Sequence, residues 1–235
     1  SVTRLVAFSV AIGLTDGQGP VIDPEEPGDP DPEEPDPEEP DPEEPDPGTA
    51  EVAHVGGDAA NANSTTHRVR VPASVQAGDT LVLALAVNST TPSVTGPAGW
   101  TQLEQAAEGN VQGRLWTRTA TASDADSLVT VTLSSIAKAD LTVTAYRSTA
   151  GGSEVVDSAV AVSTASATSL TAPGVVTTPG SWVSTYWAVK SSSSSSLSTT
   201  GGGVRESTSG SGGGAIYALA ADSDGVVPTG PRPGR

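Results

Sequence analysis

Two stretches of the chain alternate apolar and polar residues with a period of two. Val129, Val131 and Leu133 in Leu128–Ser134, and Leu141, Val143 and Ala145 in Asp140–Ser148, are each separated by Thr, Ser or another small residue. Successive side chains of a β-strand point to opposite faces, so this spacing predicts half-buried antiparallel strands. Leu81–Asn88 (LVLALAVN) is apolar at nearly every position and predicts a central strand covered on both faces. Val111–Thr119, Ser181–Lys190 and Ala215–Ala221 predict further strands. Glu51–Gly56 and His67–Val71 predict short ones around a polar turn, GDAANANSTT. Glu154–Val162 and Ser169–Ala172 are fainter, and Ser191–Gly203 reads as a polar loop. No stretch keeps a capped apolar stripe at helical spacing. The predicted fold is all-β, an antiparallel β-sandwich of jelly-roll or immunoglobulin-like type.

Ahead of this body stands an isolated strand. Val2–Leu14 (VTRLVAFSVAIGL) is rich in β-branched and aromatic residues and ends at a DGQGP breaker. A lone strand leaves its ladder unpaired and its apolar side wet, so it must pair with something. Between strand and body, Asp23–Pro47 repeats DPEEP from Asp23, Asp31, Asp36 and Asp41. Proline fixes φ and removes the backbone donor, and the carboxylates repel one another with nothing apolar to bury. The segment therefore predicts a disordered acidic Pro-rich linker, extended as polyproline II at about 3.1 Å per residue. The expected organisation is a strand stub over 1–20, the linker over 21–48, the sandwich over 49–230 and a tail over 231–235.

Charge narrows the picture once it is located. The 235 residues carry a net charge of −17, but Asp23–Pro47 holds 14 of the 28 acids and no base, which leaves −3 for the rest. Without a basic patch to displace phosphate counterions, nucleic acid is not an expected partner. The apolar run Leu5–Leu14 is too short to span a bilayer, so no membrane insertion is expected. There is no Cys, which removes disulfides, thiolate zinc and Cys nucleophiles. One Phe and no Met leave Val, Leu, Ala and Trp to build the core. The chain starts at Ser1 rather than Met and reads as a section of a larger protein.

Catalysis is not expected. The two histidines, His54 and His67, belong to no HExxH, and neither a G-x-S-x-G elbow nor a phosphate-cradling loop is present. Asp124-Ala-Asp126 and Asp222-Ser-Asp224-Gly225 have the D-x-D spacing that opens calcium loops, although Asp and Gly also serve ordinary turns. Asp222 and Asp224 are thus the candidate metal ligands, and calcium is the one cofactor the spacing admits. Trp116 shares a strand face with Arg114 and Arg118, so the three are a candidate sugar or acidic-ligand platform if that face meets solvent. Core packing of Trp116 with both arginines at the rim is the competing reading. Trp100, after the GPAG turn, is either a second platform or a lid on the core. Trp182 and Tyr186 share one face of their strand, Val183 and Trp187 the other, and at least one of those faces must be core.

VPASVQAGDTLVLALAVN, GPAGWTQLE, RLWTRTATASDADSLVTVTLSSIAKADLTVTAYRST, SWVSTYWAVKSSSSSS and ALAADSDGVVPTG together resemble a β-sandwich repeat of modular secreted actinobacterial proteins. That repeat often stands beside PKD or kelch-type domains, and a similar pattern occurs in tail-associated proteins of phages infecting those bacteria. The resemblance implies no catalytic residue set. It also implies one more strand after the VPTG-like turn, and AFSVAIGL in the stub looks like that element. The stub would then close an upstream copy or fold back into this sandwich. The expected function is a non-catalytic extracellular module for surface display or adhesion, with weak carbohydrate binding. Its partners would be cell-surface or environmental polysaccharide and neighbouring repeats, and its location secreted or cell-surface. The alternatives are a phage tail or fibre decoration module on the virion surface, and an accessory module of a polysaccharide-degrading enzyme.

Overall fold

The computed structural model describes residues 4–15, 51–149, 151–163 and 166–233. They form β1 (Arg4–Leu14), β2 (Val52–Arg70), β3 (Thr80–Val87), β4 (Val94–Thr95), β5 (Thr101–Glu108), β6 (Val111–Thr119) and β7 (Leu128–Ser148). There follow β8 (Ser153–Val162), β9 (Val175–Thr177), β10 (Trp182–Ser191), β11 (Gly203–Ser209), β12 (Ala215–Asp222) and β13 (Gly230–Arg232). One sheet runs β11-β12-β10-β1-β8 and a second runs β2-β7-β3-β6-β5, with β4 added alongside β7. All pairings are antiparallel, and β9 and β13 form a small separate ribbon. The fold is the all-β antiparallel sandwich that the period-two alternation calls for.

The N-terminal strand takes the second of its two expected partners, its own sandwich. β1 lies in the middle of the first sheet, in register with β10 from Arg4↔Lys190 to Ile12↔Trp182 and with β8 from Val6↔Val162 to Leu14↔Ser153. Every residue from Leu5 to Ile12 is buried, because both strand edges and both faces are covered. The acidic segment predicted as the linker, 21–48, lies outside the described residues, but its flanks are fixed. Thr15 N donates to Gly152 O at 3.0 Å, and Glu51 exchanges bonds with Thr149, whose N donates to Glu51 O at 2.9 Å. Thr149 and Gly152 are three residues apart, at most about 11 Å of chain. The segment thus leaves and rejoins one end of one sandwich, connecting β1 in the first sheet to β2 in the second.

Alternate residues of facing strands meet between the sheets. Val6, Phe8, Val10 and Ile12 of β1 and Tyr186 and Ala188 of β10 pack against Val82, Ala84 and Ala86 of β3 and Leu115 of β6. Phe8 and Tyr186 rings lie 6.2 Å apart, tilted. Gly113 on β6 makes room here, since a Cβ at that position would sit 2.7 Å from Phe8 Cζ.

β3 is buried at all eight positions, because its other face belongs to a second core. Leu81, Leu83, Leu85 and Val87 point away from the first sheet and pack with Val69, Val129, Val131 and Leu133. These last residues come from the outer ends of β2 and β7. The two strands pair along nearly their whole length, but the register slips between Ser64 and Thr66, opposite an excess of residues on β7. At that bulge the ribbon bends, leaving Ile136 exposed, and its outer arm folds over the second sheet.

Several local expectations change. GDAANANSTT is the middle of β2 rather than a turn, because a continuous ladder with β7 outweighs weak strand propensity. Leu128–Ser134 and Asp140–Ser148 are one strand. Ser169–Ala172 is irregular, β11 begins where the polar loop was expected to end, and Pro231 and Arg232 of the expected tail pair with β9.

Candidate functional site

The platform expected on β6 is closed. Trp116 is 3% exposed and belongs to the second core. The turn after β4 lies directly on it, since a Cβ on Gly96 would fall 2.7 Å from the indole Nε1. Trp100 packs partly buried against the same cluster, as a lid. Arg118 reaches Asp124 at 3.3 Å, and Arg114 bonds the carbonyl of Gly113, with partial burial lowering its pKa. The structure brings the three β6 residues to one face, but as core and rim.

The candidate metal pair is also occupied from within. Arg205 Nε and Nη2 donate to the two oxygens of Asp222 at 2.7 and 2.8 Å, and Nη2 also reaches Asp224 at 2.6 Å. Asp224 adopts a left-handed φ of 53° in the turn that brings it there. Tyr146 hydroxyl donates to Ser184 Oγ at 2.9 Å and lies 3.4 Å from Asp222; burial, then the Asp222 charge, raises its pKa. Arg205 also stands 5.9 Å above the Trp182 ring. A guanidinium held by both carboxylates supplies the positive charge a calcium ion would have brought, so this is an internal ion-pair network. His54 lies edge-on to Tyr146 at 5.6 Å with its pKa lowered by burial, then by Arg205. Asp124 likewise accepts from Thr121 N at 2.6 Å and caps its own turn. Among the described residues, no three His, Cys, Asp or Glu side chains converge so as to hold a metal ion.

Where β2 meets β11, the sandwich is sealed by polar side chains. Asp140 is fully buried and accepts from the hydroxyls of Thr142, Tyr186 and Thr208. Burial raises its pKa against the opposing effect of those donors. Glu206 beside it is raised by burial and then by the charges of Asp58 and Asp140. Asn61 Nδ2 donates to Ile216 O at 2.9 Å, joining the sheets across the seam. Asp140 has no solvent-facing surface and works as a fastener.

An open feature with an apolar floor lies on the outer face of the first sheet. On β10, Trp182, Tyr186 and Ala188 point inward, so Trp187 and Val189 point out. With Leu5 and Ala7 of β1 and Tyr217 and Leu219 of β12 they make an apolar floor. Two irregular segments cover it, one bringing Leu170 and the other Leu197. Between them runs a cleft of about 380 Å³, with Leu5, Trp187 and Leu219 beneath and Ser and Thr hydroxyls of 168–171 and 196–200 on its walls. Among the described residues no ionisable side chain lines it. An apolar, partly aromatic floor with a neutral hydroxyl rim matches a ligand that has one apolar face and several hydroxyls. The sequence pairs Trp187 with Val183 on one strand face, but which face is core depends on partners that period-two alternation does not name. No family model, no curated protein and no solved structure matches the chain.

Proposed function

We propose that this chain is a non-catalytic β-sandwich module of a secreted or cell-surface protein, serving display or adhesion and holding a neutral saccharide weakly in the Trp187 cleft. The observation that carries the reading is the cleft itself, with Trp187 beneath, Ser and Thr residues around, and no charged side chain among the described residues that line it. A pyranose presents C–H groups on one face and hydroxyls at its edge, and both find a complement there. A charged polysaccharide would find no counter-charge among the described residues of the lining.

The test is affinity electrophoresis of the full chain through gels containing neutral or acidic polysaccharides. Retardation by at least one neutral polymer is expected, reduced in Trp187→Phe and in Thr199→Ala, a variant that leaves every strand intact. No retardation by any neutral polymer, or retardation unchanged in both variants, would remove the saccharide site.

A further inference from the structure

We infer that β1 is an exchangeable strand, able to complete the first sheet of a second copy of this chain through the contacts it makes in its own. The sheet is built to receive this strand in particular. Phe8 fills the space that a Cβ on Gly113 would occupy, and the β1 ladder runs along β10 on one side and β8 on the other. Without β1, those two strands would each present an unpaired edge, and the inter-sheet core would lose Val6, Phe8, Val10 and Ile12. The gap must be filled, and its shape selects β1, from this chain or from another copy.

Residues 16–50 connect the C-terminal end of β1 to the rest of the sandwich, and among the described residues the ladder and core contacts of the strand are made by β1 itself. The ladder and the core contacts are therefore the same whichever chain supplies the strand, and only the connection differs. Within one chain, 35 residues must return to the end of the sandwich they left, where Thr15 bonds Gly152 and Glu51 bonds the nearby Thr149. That stretch contains 15 acids, no base and repeated prolines, a composition that favours an extended chain and resists closing. Between two copies the same stretch is free to extend, reaching about 110 Å at the polyproline II rise. Closure within one chain wins at low concentration, because a tethered strand is present at about millimolar effective concentration. Exchange then grows with protein concentration, and salt, by screening the acids, should reduce it.

The chain has no Cys, so an introduced pair reports on itself. Ser9 on β1 faces Thr185 on β10. The full chain carrying Ser9→Cys and Thr185→Cys is unfolded, refolded from micromolar to about millimolar concentration, oxidised, and run on non-reducing gels. The expected result is a monomer with an internal disulfide at low concentration, and disulfide-linked dimers that rise with concentration and fall with added salt. Wild-type chain refolded in the same series and weighed by native mass spectrometry should give dimers with the same dependence, whether or not the cysteine variant folds. Monomers alone at every concentration, or dimers whose disulfides are all internal, would overturn the inference.

Discussion

Trp116 and Trp187 both point away from the space between the sheets, one from β6 and one from β10, and both are covered, at 3% and 8% exposure. Their roofs differ in kind. Over Trp116 lies the outer arm of β2 and β7, a hydrogen-bonded ladder from Thr66↔Thr132 to Arg70↔Leu128, tied to the turn after β4 by the Val94↔Leu133 pair. Trp187 is covered by irregular segments that each bring one leucine to it, beside a cleft of about 380 Å³. A roof held by backbone ladders opens only with the sheet, whereas a roof held by a few side-chain contacts opens locally at small free-energy cost. The same residue type is therefore core on one sheet and candidate binding surface on the other, and the covering backbone decides which.

Removing each tryptophan tests that contrast most severely. Trp116→Ala leaves a cavity between two paired layers that relax little, and should lower stability by about 3–5 kcal/mol in chemical denaturation followed by circular dichroism. Trp187→Ala lies under segments free to settle into the space, and should cost about 2–3 kcal/mol on the same scale. Equal losses would mean that the two roofs are mechanically alike.

A smaller change sharpens the same point. A Cβ at Gly96 would meet Trp116 at 2.7 Å from Nε1 and 3.0 Å from Cε2, atoms of a rigid ring packed beneath a pinned turn. Gly96→Ala should then cost about 1–3 kcal/mol, as overpacking does. Gly213→Ala, where nothing lies within 4 Å of the added carbon, is the matching control and should stay within about 0.5 kcal/mol of wild type. A Gly96→Ala variant as stable as the control would show that the turn over Trp116 yields as loops do.

The sandwich was legible because its strands obey the period-two rule where one face is wet, and break it at Leu81–Val87 where both are dry. The bent ribbon was not. Asp58 to Ser64 reads as a turn by composition, and becomes strand because residues 137–143 offer it a continuous partner. The sites were less legible than the fold. Arg114, Trp116 and Arg118 do share a face, as alternation requires, but a second layer above them came from a bulge 18 residues beyond Trp116, which no local pattern announces. Asp222 and Asp224 looked like cation ligands because their own cation, Arg205, reaches them from a separate strand. Trp187 was visible as an outward residue only relative to Trp182 and Tyr186, and which pair faced the core depended on the arrival of β1.

The smallest expected effect distinguishes the roofs by pH. His67 is buried in the arm over Trp116, opposite Val131, with Nε2 3.1 Å from Ser64 O and Nδ1 without a hydrogen-bond partner among the described residues. Burial lowers its pKa, against a weaker opposing pull from the Ser64 carbonyl. Neutral imidazole donates once, to Ser64, and a second proton would place a charged N–H where nothing accepts it. Below its ordinary value of 6.5 the unfolded chain takes up that proton before the folded one, so stability is present above 6.5 and is lost as pH falls towards the lowered value. His54 acts in the same sense, whereas the raised Asp140 and Glu206 act oppositely, taking up protons in the folded chain first. The comparison that isolates His67 is therefore the melting temperature of wild type minus that of His67→Gln, which should fall steadily from pH 7.5 to pH 5. Protection of the amides at Val69, Val129 and Val131, corrected for the pH dependence of intrinsic exchange, should fall over that interval in wild type more than in the variant. Protection at Leu170 and Leu197 should show no such difference, because among the described residues no ionisable side chain lines the Trp187 cleft. Equal loss of protection in both regions would mean that the two roofs open together, as one cooperative unit.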